Sequence, residues 1–166
     1  LRDILGIWVE ESDAIEEGKC NHFQYQGVEY PATVLCDLLH LEGAQALSAY
    51  EEDFYAGMPV LTKNTFGKGE AYYVATRSNH EFYRKYIRDL CAKLEIAPVM
   101  QTEDGVEATI RENENGSFLF ILNHKEEAAQ IIIPATGRDL IKNIEHREGE
   151  SVTLAPKDVI IIKKTK

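Results

Sequence analysis

The sequence predicts an α/β domain followed by a small all-β antiparallel sandwich. Three observations lead to this prediction. Helix and strand signals are mixed over the first hundred residues, and one amphipathic helix stands out after residue 78. From Val99 onward the helical periodicity disappears, and short apolar runs separated by turn residues replace it. Because the pattern changes near residue 100, we predict two domains, residues 1–100 and residues 101–166.

The first predicted domain combines strands, hairpins and one helix. Gly6 stands where a helix commonly ends, and Gln26-Gly27 predicts the turn of a hairpin. Ser78 and Glu81 have the spacing of a capping box, and the helix they begin is expected to end near Glu95. Its apolar face is predicted from residues at helical spacing: Phe82, Tyr83, Tyr86, Ile87, Leu90, Cys91 and Leu94. Strands and hairpins are predicted over residues 7–11, 22–30, 44–50 and 58–76. Residues 32–41 are apolar and fit either a strand or a helix, and a strand is the favoured interpretation.

The second predicted domain contains strands only. Asn115-Gly116 is a strong signal for a two-residue hairpin turn. Phe118, Phe120 and Leu122 alternate with Leu119 and Ile121, which predicts a strand buried on both faces. Six short strands with frequent turns indicate a small sandwich or barrel. They are predicted over residues 106–112, 117–124, 129–133, 139–142, 151–155 and 158–163.

Composition narrows the classes of partner. The formal net charge is −10, which argues against nucleic acid because phosphate binding needs clustered Lys and Arg. No apolar run approaches the roughly 20 residues that span a bilayer, and no signal peptide opens the chain, so we expect no membrane partner. The first residue is not Met, and we expect the chain to start within a longer protein. The three cysteines, Cys20, Cys36 and Cys91, suit reduced thiols in a cytoplasmic protein.

Two short motifs resemble catalytic or phosphate-binding sequences. Gly67-Lys68-Gly69 lacks the third glycine of a phosphate loop and lies between two strands, so a hairpin turn is the favoured interpretation. Cys36, Asp37 and His40 offer a nucleophile, an acid and a base within five residues. The members of a catalytic set converge from separate elements, however, so we expect Cys36 to be a buried thiol. The same expectation applies to Cys91 on the apolar helix face.

The remaining candidates are metal-binding or sugar-binding residues. Cys20-Asn21-His22 has no zinc-site spacing to the other histidines, and Glu51-Glu52-Asp53 lacks the glycine-containing loop of a calcium site. Asn115-Gly116-Ser117 matches a glycosylation acceptor, but a tight turn explains it. Trp8, the only tryptophan, is expected to pack in the core, and a sugar-stacking platform is the less favoured interpretation. The other candidate zinc-ligating histidines, His80, His124 and His146, are scattered along the sequence and form no metal-binding pattern.

Glycoside hydrolysis needs two carboxylates held roughly 5 to 10 Å apart on a rigid frame. The chain has 28 acidic residues, so their number does not exclude such a pair. A (β/α)₈ barrel, however, takes about 250 residues and eight strand–helix repeats. One strong helix and two hairpin-rich parts do not supply it. We therefore predict no catalytic, cofactor-binding or metal-ligating residue in this chain, and no cofactor.

Four segments of the chain resemble family 42 glycoside hydrolases, the bacterial β-galactosidases. The longest is residues 53–74, which runs Asp-Phe-Tyr-Ala-Gly-Met-Pro-Val-Leu-Thr-Lys-Asn-Thr-Phe-Gly-Lys-Gly-Glu-Ala-Tyr-Tyr-Val. Residues 1–11, 118–124 and 152–161 agree in order and spacing, so the resemblance covers nearly the whole chain. It implies a parent of three domains: a catalytic barrel, a flavodoxin-like or class I glutamine amidotransferase-like trimerisation domain, and a small C-terminal β domain. This chain would match the later part of the second domain and all of the third.

The resemblance implies a non-catalytic oligomerisation and structural region, whose partners are other copies of the chain and the barrel of the same chain. We expect self-association through an uncovered surface of the first domain, formed by residues such as Ile7, Val9, Val34 and Leu38. Two alternatives stay open: a carbohydrate-binding module, and a free-standing amidotransferase-like enzyme. The latter would need a cysteine on a strand-to-helix elbow, which neither Cys36 nor Cys91 matches.

Overall fold

Every strand pair over residues 1–165, the residues described by the computed structural model, is antiparallel. A flavodoxin-like domain needs parallel strands joined by crossover helices that cover both faces of the sheet. Over the same residues there are two helices, and one of them has four residues. The predicted α/β class, with its flavodoxin-like or amidotransferase-like first domain, is therefore wrong. The mixed helix and strand signals of the first hundred residues come from one amphipathic helix, and strands form antiparallel hairpins on both sides of it.

The chain divides into two compact units, at Leu94/Glu95. The first unit contains two sheets. One has the order β1-β3-β2, with β7 paired to β3, and the other has the order β4-β5-β6. The bounds of the helices and strands are α1 Arg2–Leu5, β1 Ile7–Ala14, β2 Asn21–Tyr25, β3 Val28–Leu41, β4 Gln45–Ala49, β5 Pro59–Phe66, β6 Gly69–Val74, β7 Thr76–Arg77 and α2 His80–Lys93.

The long strand β3 pairs with three strands, β2, β1 and the short β7. Its first half pairs with β2 through a tight hairpin, in which Tyr25 faces Val28. Gln26 (φ 51°) and Gly27 (φ 78°) form the turn at the predicted place, since a two-residue turn of this hand needs positive φ at both positions. Its second half pairs with β1, with Ile7 facing Leu41 at one end and Ala14 facing Leu35 at the other. The strand therefore extends beyond β2 to form the β1–β3 ribbon, and its other edge pairs with β7 at Thr33 and Cys36.

Helix α2 begins one residue later than the capping box predicts. Asn79 is the N-cap, and its side-chain oxygen accepts the backbone N–H of Phe82 at 2.9 Å. Ser78 is buried, and its hydroxyl makes no hydrogen bond. The prediction of Ser78 as the cap is therefore wrong, because an asparagine in the next position competes for the same backbone donors.

An aromatic cluster under α2 forms the core of the first unit. Phe82 is fully buried and contacts Phe23 edge-on at 5.0 Å between ring centroids, while Tyr86 stacks on it at 5.5 Å. Tyr25 and Tyr30 complete the cluster, each edge-on to Phe82. Edge-on and offset aromatic pairs add about 0.5–1.5 kcal/mol each to the burial of their area. The cluster fixes α2 against β2 and β3.

The second unit holds a five-stranded sheet of order β12-β11-β14-β9-β8 and a two-stranded sheet, β10-β13. The fully buried core is aliphatic and includes Leu119, Ile121, Leu154 and Ile162. Its strands are β8 Val106–Asn113, β9 Gly116–Asn123, β10 Ala129–Ile132, β11 Gly137–Asp139, β12 Glu145–His146, β13 Ser151–Leu154 and β14 Val159–Lys164.

Two expectations for the second unit are wrong in detail. Strand β9 buries one face only, since Leu119 and Ile121 are inside while Phe118 and Phe120 are half-buried. Lys163 Nζ lies over the Phe118 ring, 5.8 Å from its centroid, so a long cationic side chain partly shields this face of the strand, which was expected to be buried. The turn between β8 and β9 is formed by residues 114–115, with Asn113 paired to Gly116, one position earlier than predicted.

Candidate subunit interface

Strand β1 is exposed along most of its length. Only Ile7 is buried; the residues that follow are exposed, apart from a half-buried Asp13. Trp8 is 43% exposed and Val9 is 38% exposed, although neighbouring side chains of a strand point to opposite faces. Among the described residues β1 pairs with β3 alone, so its outer edge is unpaired. A strand open on both faces and along one edge is a template for another chain or domain.

The direction in which the chain enters β1 is fixed by Gly6. This residue caps α1 in the left-handed region, with φ 62°, and a Cβ there would lie 2.7 Å from Cγ of Asn64. Because Gly6 has no Cβ, the Asn64 side chain can lie against it. In this position Nδ2 of Asn64 donates to the carbonyl oxygens of Ile4 at 2.9 Å and Asp3 at 3.3 Å. These contacts tie α1 to β5 and place β1 beside β3.

Trp8 lies on the surface, so its expected place in the core is wrong. Its indole stacks on the ring of His40 across the strand pair, with centroids 5.0 Å apart and an angle of 27° between the planes. His40 Nε2 in turn lies 2.5 Å from a carboxylate oxygen of Glu10. The sequence pattern does not show whether Trp8 is exposed or buried. Strand β1 contains few apolar residues, so their alternation does not indicate which of its faces packs against the core.

Trp8 and Val9 line an apolar groove of about 290 Å³ at the start of β1. The hydroxyl of Tyr73, at the groove, donates to Oδ2 of Asp37 at 2.6 Å, and Ser12 donates to the other oxygen of the same carboxylate. Burial and the Asp37 carboxylate raise the pKa of Tyr73 to about 12, so its hydroxyl stays protonated. The remaining lining residues are Leu1, Arg2, Leu5 and Ile7.

The prediction of an uncovered surface formed by Ile7, Val9, Val34 and Leu38 is correct for two of these four residues. Val9 and Val34 are exposed, at 38% and 52%, whereas Ile7 and Leu38 are buried, at 3% and 5%. The two buried residues point into the core formed with β5 and α2, which the sequence did not reveal. Val34 has φ 71° at an irregularity of β3, a conformation that β-branched residues rarely adopt, and its carbonyl accepts the N–H of Ile15 at 2.9 Å. Leu35 and Leu41, at the two ends of the β1–β3 ribbon, are also exposed.

The other residues that the sequence singles out lie in different surroundings. Cys36 is fully buried, with Sγ 3.8 Å from the Thr76 hydroxyl, while His40 is exposed. Gly67 and Lys68 form the turn between β5 and β6. Within residues 1–165, no group of three or more His, Cys, Asp and Glu side chains is arranged to hold a metal ion. Neither described helix is long and apolar enough to cross a membrane.

Two contacts join residues of two sequence motifs, Cys20-Asn21-His22 and Glu51-Glu52-Asp53. The side chains of Cys20 and His22 approach each other at the start of β2, and Glu52 lies on the far side of the imidazole. Alternation along a strand explains the first approach, since residues two apart share a face. The third member comes from the turn after β4, and sequence spacing gives no signal for it.

Two family models match the chain, one for each unit. Residues 1–97 match the model described as the β-galactosidase trimerisation domain, and residues 105–164 match the β-galactosidase C-terminal domain. The chain belongs to the family 42 β-galactosidases. The predicted resemblance is thus confirmed over nearly the whole sequence, even though the predicted fold class of the first part is wrong.

Several members of this β-galactosidase family are similar to the chain over almost all of it. The β-galactosidase BgaP of a Planococcus species is 37% identical over 170 residues, covering 99% of this chain and 25% of BgaP. The β-galactosidase Pbg of Clostridium perfringens is 37% identical over 161 residues, covering 87% of this chain and 23% of Pbg. The chain therefore spans about a quarter of the length of the curated relatives it matches.

Solved structures of β-galactosidases share this fold. The enzyme from Bacillus circulans sp. alkalophilus superposes with a TM-score of 0.85 at 34% identity, over 99% of this chain and 25% of that one. The cold-adapted enzyme from a Rahnella species gives 0.79 at 32% identity, over 98% and 24%. The antiparallel architecture described above is therefore the architecture of the corresponding parts of these enzymes.

Proposed function

We propose that this chain is a non-catalytic region of a longer β-galactosidase and that its first unit holds the subunits of that enzyme together. The observation that carries the proposal is the match of both units, in order, to the trimerisation and C-terminal domains of β-galactosidases. In the longer protein, a catalytic barrel of the same chain would hydrolyse terminal β-D-galactosides, and three copies would associate. No residue of this chain is assigned a catalytic, cofactor-binding or metal-ligating role.

The geometry of β1 supports a role in association. Protein interfaces are rich in tryptophan and depleted in charge at their centre, and the groove at the start of β1 offers Trp8 among aliphatic neighbours. The unpaired edge of β1 offers backbone donors and acceptors beside it. We propose this groove and the β1–β3 ribbon as part of the surface that another subunit or domain covers.

A graft tests the proposal. This chain would replace the matching region of the Planococcus enzyme BgaP, and the chimera would be assayed with a chromogenic β-galactoside and by light scattering. We expect an active chimera with the subunit number of BgaP itself, and no turnover by the 166-residue chain alone. A folded chimera that is monomeric while BgaP is not, or turnover by the isolated chain that survives further purification, would contradict the proposal.

A carbohydrate-binding role is the second candidate, because Trp8 is partly exposed beside a groove. Sugar sites combine an aromatic platform with convergent polar groups, and this groove is lined mainly by aliphatic side chains. Galactose titration monitored by Trp8 fluorescence separates the two candidates. A saturable change would favour sugar binding, and none is expected.

We also propose that the division between the two domains lies near residue 100 and that the protein is cytoplasmic, with its three thiols reduced. Support for the division comes from the change between units at Leu94/Glu95. The thiols differ in access: Cys20 is exposed, Cys36 buried and Cys91 intermediate. Alkylation under denaturing conditions should add three labels to the protein; a mass with an intact disulfide would contradict the assignment.

A further inference from the structure

Three side chains from two separate elements form a relay at the start of β2. Cys20 Sγ lies 3.5 Å from Nε2 of His22, and Nδ1 of His22 lies 3.2 Å from a carboxylate oxygen of Glu52. The order thiol, imidazole, carboxylate is the arrangement that activates a cysteine nucleophile, because the imidazole accepts the thiol proton and the carboxylate orients and stabilises the resulting cation. In the tautomer whose Nδ1–H donates to Glu52, Nε2 is the nitrogen that can accept the proton from Cys20.

A buried asparagine holds the relay together. Asn21 is 4% exposed, and its side-chain oxygen accepts the backbone N–H of His22 at 2.6 Å and of Glu52 at 3.1 Å. Its amide donates to the Glu52 carbonyl at 2.7 Å, and the N–H of Glu51 donates to the His22 carbonyl at 2.9 Å. Since Asn21 points inward, the residues on either side of it point outward together. The position of the three side chains is therefore set by backbone contacts and does not depend on the long Glu52 side chain alone.

Cys20 lines a cavity whose charged residues are mainly acidic. The cavity has a volume of about 280 Å³, and the acidic residues Asp13, Glu16, Glu52 and Asp53 line it as well. Lys19 is the one cation among the lining residues, and it pairs with Glu16 at 2.7 Å. Four carboxylates against one ammonium favour a positively charged small molecule and repel an anionic one.

We propose that Cys20 is a modification site, at which the relay with His22 and Glu52 drives exchange of the thiol with small cationic disulfides. His22 takes the thiol proton, and the thiolate sulfur attacks one sulfur of the disulfide. The new S–S bond forms as the old one breaks, and the departing thiolate takes the proton back from His22. The products are a mixed disulfide on Cys20 and one molecule of the small thiol. This inference does not rest on the proposed function, since it uses only the relay and its cavity.

Site-resolved exchange in the intact chain tests the proposal. The reduced 166-residue protein would be mixed with cystamine, which carries two ammonium groups, and quenched in acid at successive times. Peptide mass spectrometry then gives a rate for each cysteine in the same molecule. We expect Cys20 of the folded protein to react about tenfold faster than Cys91. We also expect it to react faster than Cys20 of the urea-unfolded chain, because only an activated thiol exceeds the rate of a fully accessible one. A Cys20 rate equal to or below that of the unfolded chain would overturn the proposal.

Matched variants identify the groups responsible. His22→Gln should lower the Cys20 rate by about tenfold or more, and Glu52→Gln by a smaller factor, because general-base groups contribute about 10² or more when fully engaged. His80→Gln and Glu114→Gln change the same residue types on the exposed surface and should leave the rate unchanged. The buried thiol of Cys36 serves as a folding control, since it should remain protected in every variant. A folded His22→Gln variant with the wild-type rate would refute the relay.

The charge of the reagent tests the cavity separately. The ratio of folded to unfolded Cys20 rates should be about tenfold higher for cystamine than for 3,3′-dithiodipropionate, which carries two carboxylates. Removing two of the negative charges with Asp13→Asn and Glu16→Gln should reduce the difference between the ratio for cystamine and the ratio for 3,3′-dithiodipropionate. Equal ratios for both reagents in the wild-type protein would contradict the assignment of a cationic disulfide.

Discussion

The two units are both built from antiparallel strands, yet they differ in how completely they cover them. In the second unit the central strands β9 and β14 each bury alternate residues, such as Leu119 and Ile162, and leave the others half-buried or exposed. In the first unit, β1 is exposed on both faces beyond Ile7. The second unit thus closes its own core with its own strands. The first unit closes a core under α2 and leaves β1 and the two ends of the β1–β3 ribbon exposed.

This difference shows that an open surface need not reflect an incomplete fold. The core of the first unit is well filled, with fully buried aromatic rings such as Phe23 and Phe82 in direct contact. The uncovered apolar residues Trp8, Val9, Val34 and Leu41 lie on one ribbon and do not border a gap in that core. A complete core beside an open ribbon is what a domain needs if it must fold and then associate.

The contrast between the two units requires that the aromatic cluster under α2 stabilises the first unit. Phe82→Ala should lower the free energy of unfolding by about 3–5 kcal/mol, because it removes a fully buried ring from the aromatic cluster. Urea unfolding followed by the fluorescence of Trp8, which lies in the same unit, measures the change. Ile87→Ala on the same helix is the matched control, and since Ile87 is 53% exposed its effect should stay within about 0.5 kcal/mol. Equal effects of the two variants would show that the cluster is not the core.

A smaller effect tests how α2 is attached. Asn79→Ala should cost about 1 kcal/mol, because the side-chain oxygen that accepts the Phe82 N–H is lost. Ser78→Ala should cost close to nothing, since its buried hydroxyl makes no hydrogen bond. Thermal or urea unfolding of the two variants in parallel decides which residue caps the helix; the reverse order would restore the capping box that the sequence predicts.

Local signals predicted much of the structure, and long-range pairing accounts for the errors. The turn at Gln26-Gly27 and the hairpin around Gly67 were predicted correctly, because glycine at positive φ marks a turn wherever the rest of the chain lies. The fold class was wrong because the direction of strand pairing depends on residues far apart, such as Trp8 and His40. For the same reason the exposure of Trp8 and the meeting of Glu52 with His22 gave no signal in the sequence.

The smallest expected effect is electrostatic and comes from Glu70, whose ion pair with Lys93 links the β5–β6 hairpin to α2. Hydrogen bonds from Lys63 first, then from Lys93 and Tyr72, lower the pKa of Glu70 to about 2, from 4.5. A carboxylate with a lowered folded pKa stabilises the protein above its unfolded pKa, and this contribution is lost as the pH falls from about 4.5 toward 2. The difference in Tm between wild type and Glu70→Gln should therefore be largest at neutral pH and shrink over that window. Lys68→Gln, in the adjacent turn, should give a difference without this dependence.

The most direct test of the central claim, that the ribbon of the first unit is the associating surface, is light scattering coupled to gel filtration. The 166-residue chain would be measured at several concentrations beside Trp8→Glu in the first unit and Ile132→Glu in the second, which changes a comparably exposed residue of β10. We expect wild type and Ile132→Glu to reach masses above 18.8 kDa as concentration rises, and Trp8→Glu to remain near 18.8 kDa. A wild-type monomer at every concentration, or dissociation by Ile132→Glu and not by Trp8→Glu, would contradict the claim.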